Sequence, residues 1–572
     1  PILFIPGIAR EIFRDLSYSI IFSNVAALLV SLTLIPMLAS RFLTSKIDIT
    51  AEGKIFTKVK STYLKIINWA LVNRLKTLGI TIIVFILTVI VGGGMLKVEF
   101  MPKQDQGRYS IVAELGKGLD LDKSEYIARQ IEEIVKNEPN TKFYFTVVTN
   151  DLLSVNVDIG KKDTRDISAF EIIDKIRPIV EKIPDTRISV SEDFAMRSPS
   201  RDVEFDIVGA NLEELKTVGK AVLDKMKSYP GAVDVKSTLD PGNVEARIIL
   251  DRDKIRSYGI DPVTVGQIMS YSILGGNRGD TVTVKTGSEE IDVMVRLPKD
   301  KRKDINDIQN INIKIGDGKF VKVSDISNVI YAEGSSEINK TDRIYSVTVS
   351  ANDGGVGIRG LQEQMVKAFN EANPPASVSY RWGGDSENLQ DSTQQLGMAL
   401  GISIFLIYAL LAAQFENFLL PFIILGSVPL SLIGIIIGLV VFGQPVDVMV
   451  MVGLILLAGV VVNNAIVLID FIQLTIERGS SRIEAVVESC RTRLRPILMT
   501  TMTTVLGMLP LSLGIGEGSE NYRGMAITVM FGLSFSTILT LVIIPILFTL
   551  VEDFIEKLAK VLKKLFNKKS AE

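Results

Sequence analysis

Three polar side chains stand inside an otherwise apolar run. The segment AGVVVNNAIVLIDF (458–471) is long and hydrophobic enough to be most of a membrane span, yet it carries Asn463, Asn464 and Asp470. A carboxyl group can hold and release a proton, and an amide can bond it in either state. Such groups are costly in hydrocarbon, so they face a bundle interior or a water path. Asn463 and Asp470 are seven positions apart and share one helix face. A group lining the bundle interior or a water path is the functional reading. Two structural readings stand beside it: the amides bond a neighbouring helix, or Asp470 sits at the aqueous interface.

A second polar run lies in RTRLRPILMTTMTTVLGMLP (491–510). Arg493 and Arg495 mark the edge of a span, and Thr500, Thr501, Thr503 and Thr504 follow, with Thr500 and Thr504 on one face. Threonines in spans also bond their own preceding turn, which leaves a packing role open. The chain has no histidine, so the commonest metal ligand and general base are missing, and the single Cys490 rules out an internal disulfide. There is no P-loop, HExxH, zinc-ligand spacing or GxSxG. No enzymatic activity, cofactor or nucleic-acid partner is expected.

The elements that must position these groups are spans. The 572 residues are 47% hydrophobic, with a mean hydropathy of +0.31. Seven apolar windows fit membrane helices, at 16–38, 78–96, 394–413, 418–441, 448–471, 497–514 and 525–550. The formal net charge of −2 says little, but its distribution is informative. Lys and Arg crowd the connector after the first span, the loop after the fifth (Arg478 to Arg495) and the C-terminal tail. The positive-inside rule makes all three cytoplasmic and puts the long polar stretch outside. Pro1 then lies outside, with no leader ahead of the first span. The chain is therefore expected to be the C-terminal portion of a longer protein. FTKVKSTYLKIINWALVNRLK (56–76) reads as an amphipathic helix on the inner leaflet, with a solvated helix as the alternative. Gly92, Gly93, Gly94, Gly434, Gly438, Gly453 and Gly459 permit close helix approach.

The polar stretch repeats a pattern of alternating strand, amphipathic helix and strand three times. RYSIVAELG to KFYFTVVT is one unit, DVEFDIVG to AVDVKSTL the second, and RIYSVTVSA to SVSYRW the third. Repeated β-α-β units suggest ferredoxin-like subdomains.

With EIFRDLSYSIIFS, LIPMLASRFL, LLAAQFENFLLPFIILGSVPL, VVVNNAIVLIDF, RLRPILMTTMTTVLGMLP and FSTILTLVIIPILFTLV in this order, the chain resembles a resistance–nodulation–division (RND) permease over nearly its whole length. The hydrophobe/amphiphile efflux branch matches best, in its second half, spans 6–12. The resemblance implies a polytopic α-helical membrane protein with a large extracytoplasmic α+β region. That region would be porter subdomains carrying an inserted docking domain. The implied division is 1–38 outer segment and first span, 39–77 connector, 78–97 second span, 98–200 porter subdomain one, 201–248 and 330–390 the two parts of subdomain two, 249–329 docking insertion, 391–550 five-span bundle and 551–572 basic tail.

The resemblance also implies proton-driven export of small amphiphiles across the bacterial inner membrane. The pump would be a homotrimer in the bilayer, with protons as coupling ion and a cytoplasmic C-terminus. Its partners would be a periplasmic adaptor and an outer-membrane channel where the cell has an outer membrane. Carried onto this sequence, the relay would comprise Asn463, Asn464, Asp470, Arg493 and Thr500. Asn463 stands where the family has a lysine, so charge pairing with a titrating aspartate is replaced by hydrogen bonding. Phe145, Phe194 and Met196 are candidates for the substrate cleft, or else core residues. A metal-exporting relative and a non-transporting scaffold or secretion-type subunit are the rival readings.

Overall fold

The structure is a computed structural model that describes residues 8–42, 53–101, 105–115, 121–148, 152–184, 186–192, 201–239, 241–275, 282–287, 289–315, 318–335, 338–516 and 518–569. The chain opens with α1 (Ile8–Leu32) and α2 (Leu34–Phe42). Pro36 lacks an amide hydrogen and its ring crowds the turn before it, which breaks the first span between them. The connector helix α3 (Lys54–Val72) leads into α4 (Arg74–Leu87), which runs on as a π-helical turn.

The first β-α unit is β1 (Arg108–Glu114), α5 (Leu121–Lys136), β2 (Phe143–Val148), β3 (Leu152–Asp158), α6 (Ala169–Val180) and β4 (Arg187–Glu192). Its sheet is antiparallel, in the order β2-β3-β1-β4. Alternation in β1 turns Tyr109, Ile111 and Ala113 inward. There they meet Ile127, Ile131 and Val135, one face of α5.

The second unit begins with β5 (Val203–Gly209), α7 (Leu212–Lys227) and β6 (Ala232–Ser237). An insertion follows: β7 (Pro241–Leu250), α8 (Arg252–Ser257), α9 (Pro262–Ile273), β8 (Val282–Thr286), β9 (Glu289–Val293), α10 (Ile305–Gln309), β10 (Asn312–Lys314), β11 (Phe320–Lys322), α11 (Val323–Ile326) and β12 (Ser327–Ser335). Strands β7 and β12 pair as a ribbon that joins the insertion to the second unit. The ribbon starts at Pro241, inside the stretch assigned from sequence to that unit. Then β13 (Asn339–Thr341), β14 (Ile344–Asp353), α12 (Gly357–Glu371) and β15 (Val378–Gly383) return to its sheet. There β14 pairs with β5, β5 with β15, and β6 joins the far side of β14. The two units thus share one strand order.

Five long or paired helices close the chain: α13 (Gly384–Phe415), α14 (Leu420–Leu425) with α15 (Ser427–Phe442), α16 (Val448–Glu477), α17 (Arg482–Ser512) and α18 (Ser519–Lys569). Among the described residues, seven helical segments are long and apolar enough to cross a membrane. The basic loop expected after the fifth span is a short turn instead. Gly479 takes φ +94° and stops α16, while Ser481 and Glu484 form a capping box that starts α17 at once. Arg491, Arg493 and Arg495 are therefore helical.

Helix α18 packs against α15, α16 and α17. Gly434 and Gly438 make this possible: a Cβ on Gly434 would collide with the Phe531 carbonyl oxygen. A Cβ on Gly453 would approach Met525 and Thr528, whereas Gly459 faces open space. The connector's apolar residues divide between two faces. Tyr63 and Ile67 are buried against the bundle, while Val59, Ile66 and Trp69 are exposed.

Candidate functional site

Helix α16 starts where Asp447 caps it, its Oδ1 accepting the Val450 N–H at 2.7 Å. The helix is aliphatic on all sides, so its two asparagines necessarily face different neighbours. Asn464 points inward. Its Nδ2 donates to Thr537 Oγ1 on α18 at 3.0 Å and to Thr501 Oγ1 on α17 at 3.4 Å. Thr501 and Thr537 are themselves 3.1 Å apart. All three are buried, so three helices meet in one polar knot. It holds no titratable group. Its bonds tie α16 to α17 and α18.

The other sequence candidates lie elsewhere. Asn463 and Asp470 are both exposed on α16, as their spacing predicts. Thr500 Oγ1 donates to the Ile497 carbonyl of its own helix at 3.0 Å, and Thr503 and Thr504 back-bond in the same way. Arg493 lays its guanidinium over the Phe471 ring, 4.5 Å from the centroid, with Nε buried and without a hydrogen-bond partner among the described residues. The structure therefore joins Asn464 to Thr501 and Thr537, and leaves Asn463, Asp470 and Thr500 exposed.

Sequence reasoning passed over Thr537 and named Thr501 only as one of four threonines in its helix. A run of four threonines in an apolar helix gives no sign of which one looks across. It also passed over Asp447, although an acid directly before an apolar run is an N-cap signal. Asp447 is fully buried, and its Oδ2 has no hydrogen-bond partner among the described residues. Burial, with Glu99 adding like charge, raises its carboxyl to about 7. Glu99 arrives on a segment that pairs with the loop before α16, through the Val98–Val446 bridge and the Glu99 N–H to Val446 carbonyl bond.

Phe145 lies on β2, about half exposed, beside Phe143 with ring centroids 6.1 Å apart. With Val147 they form an open apolar strip on alternate positions of that strand. Phe194 and Met196 lie outside the described residues.

This architecture of apolar helices and two like β-α units has known counterparts. Residues 1–552 match the model of the AcrB/AcrD/AcrF family. The chain belongs to that family. Relatives include the swarming motility protein SwrC of Bacillus subtilis (strain 168), 28% identical over 569 residues, covering 97% of this chain and 54% of the relative. The cobalt-zinc-cadmium resistance protein CzcA of Cupriavidus metallidurans is 26% identical over 576 residues, covering 96% and 54%. The nickel-cobalt-cadmium resistance protein NccA of Alcaligenes xylosoxydans xylosoxydans is 25% identical over 570 residues, covering 95% and 52%. An X-ray crystal structure of a heavy metal efflux pump superposes with a TM-score of 0.81 at 25% identity, over 96% of this chain and 56% of that one. The chain spans about half the length of the relatives it matches. These relatives do not single out the hydrophobe/amphiphile branch: CzcA, NccA and the superposed pump are named for metals, and SwrC for swarming motility.

Proposed function

We propose that this chain is part of a proton-driven RND efflux permease of the bacterial inner membrane, with metal cations as cargo. The observation that carries this reading is the match of nearly the whole chain to CzcA, NccA and a heavy metal efflux pump. Without histidine, and with Cys490 buried in the bundle, cation contacts from this chain would be carboxylate, amide or thioether groups. In this reading the two β-α units are ferredoxin-like porter subdomains, the insertion is a docking domain, and the β-rich region is extracytoplasmic. The permease works as a homotrimer, with an adaptor and outer channel where there is an outer membrane. Asn463, Asp470, Arg493 and Thr500 face the relay, and Asn464 supports it.

One observation favours a second cargo class. The exposed strip of Phe143, Phe145 and Val147 would suit an amphiphile better than an ion. The deciding experiment expresses the intact protein in a host stripped of its own pumps. Growth is then scored in cobalt, zinc, cadmium and nickel salts and in a bile salt. The metal reading expects protonophore-sensitive metal tolerance. Bile-salt tolerance without metal tolerance would replace it with the amphiphile reading.

A further inference from the structure

The two β-α units are attached to the helical bundle by different physics. The second unit is welded to it by a shared apolar core. Val448, Met449 and Val452 of α16 and Met525 of α18 lie in one cluster with Phe205, Leu215 and Val222. Among the described residues, the first unit from β1 to β4 has its own core, with no member in common with that cluster, while Phe100 in the segment leading into β1 belongs to the second unit's cluster. Polar contacts tie the first unit to the bundle. Lys162 pairs with Glu520 in the first turn of α18. The backbone N–H of Asp105 donates to the other oxygen of Glu520 at 3.3 Å.

Glu520 thereby grips a rigid hub. The Asp105 carboxylate is buried and pairs with Arg165. It also accepts the Gly107 N–H at 3.1 Å and the Ala169 N–H, at the start of α6, at 3.0 Å. Arg165 in turn donates to the carbonyls of Gly160 at 3.2 Å and Ile167 at 2.7 Å. A pull on Lys162 or Asp105 is passed through this loop to α6 and so to the whole unit. A packed core has few alternative arrangements. A half-exposed ion pair can move or be remade without unpacking anything.

We propose that Glu520 is the positioning residue that ties the first β-α unit to α18, and so sets the distance between the two units. The proposal rests on the transport reading above for its purpose, but its geometry can be tested apart from transport.

Spin labels are placed at Lys123 in the first unit and Lys220 in the second, both exposed, in intact protein with Cys490→Ser. Wild type is expected to give a narrow distance distribution, and Glu520→Ala a broadened one. Lys162→Ala, at a more exposed position, should broaden it in the same direction without threatening the fold. The exchange Lys162→Glu with Glu520→Lys should restore part of the narrowing. It rebuilds the pair but cannot accept the Asp105 N–H. In vesicles, Glu520→Ala should export cargo about tenfold more slowly while proton entry persists, a factor within the usual range of coupling between sites. An unchanged distance distribution in both alanine variants would overturn the proposal. A distribution that responds, in a protein that moves no cargo even as wild type, would sink the transport reading and leave the tether standing.

Discussion

Asn464 Nδ2 lies 3.0 Å from Thr537 Oγ1, a hydrogen bond between two spans more than 70 residues apart in sequence. Lipid offers no water to replace a lost partner, so such bonds hold helices in one rotation. Their average worth is nevertheless modest, because the separated helices find other partners.

Thr537→Val deprives Asn464 of its shorter bond inside the bundle. Thermal unfolding in detergent should show a loss of about 1–3 kcal/mol, the cost of a buried group left short of a partner. Thr500→Val removes only a bond to its own turn and should stay within about 0.5 kcal/mol of wild type. Equal losses in the two variants would dismiss the polar knot.

Asp447 should make stability depend on pH. Its carboxyl titrates at about 7 in the folded protein, well above its ordinary value of 3.8. The unfolded chain therefore releases this proton first, and raising the pH favours unfolding. The stability from the neutral carboxyl is fully present below the ordinary carboxylate range and is lost as pH rises to about 7. Asp447→Asn keeps a capping oxygen and has no charge to bury. It should be more stable than wild type at pH 8, relative to the difference between the two at pH 4. Parallel unfolding curves at both pH values would exclude a buried titrating group here.

The Asp105–Arg165 pair should behave in the opposite sense. Burial alone would raise the Asp105 carboxyl, but Arg165 and the Ala169 and Gly107 amides outweigh it and hold the group below its usual value. Its contribution is present at neutral pH and is lost as the medium is acidified through the folded value. Arg165→Met leaves a buried carboxylate without its cation and should cost about 3–5 kcal/mol near neutrality. Acid unfolding should show the gap to wild type narrowing as pH falls. A constant gap would mean the arginine acts by packing alone.

Gly434→Ala should destabilise the bundle, since the added carbon would meet the Phe531 carbonyl and the Phe535 Cβ, the latter at 2.7 Å. Overpacking of this kind costs about 1–3 kcal/mol. Gly459→Ala has nothing within 4 Å and serves as the control. Equal thermal stability of the Gly434→Ala and Gly459→Ala variants would contradict the close crossing of α15 and α18.

The sequence by itself determined the elements. Apolar length marked seven spans, and the contrast between strand alternation and helical spacing marked each β-α-β segment, because both signals are local and follow from backbone period. It also placed Asn463 and Asp470 on one face, since positions seven apart on a helix must coincide. Its failures are non-local. The loop from Arg478 to Arg495 looked open because the positive charges outweighed a capping signal only a few residues long. Which of Thr500 and Thr501 looks across the bundle, whether Asn463 or Asn464 faces inward, and which end of Asp447 goes unpartnered were decided by the packing of α16, α17 and α18. No property of a single helix that is apolar all round can tell its faces apart. The attachment of the two units was likewise tertiary. Similar strand patterns gave the same strand order twice, but only the fold put one core in contact with the spans and gave the other a core of its own with polar contacts to α18.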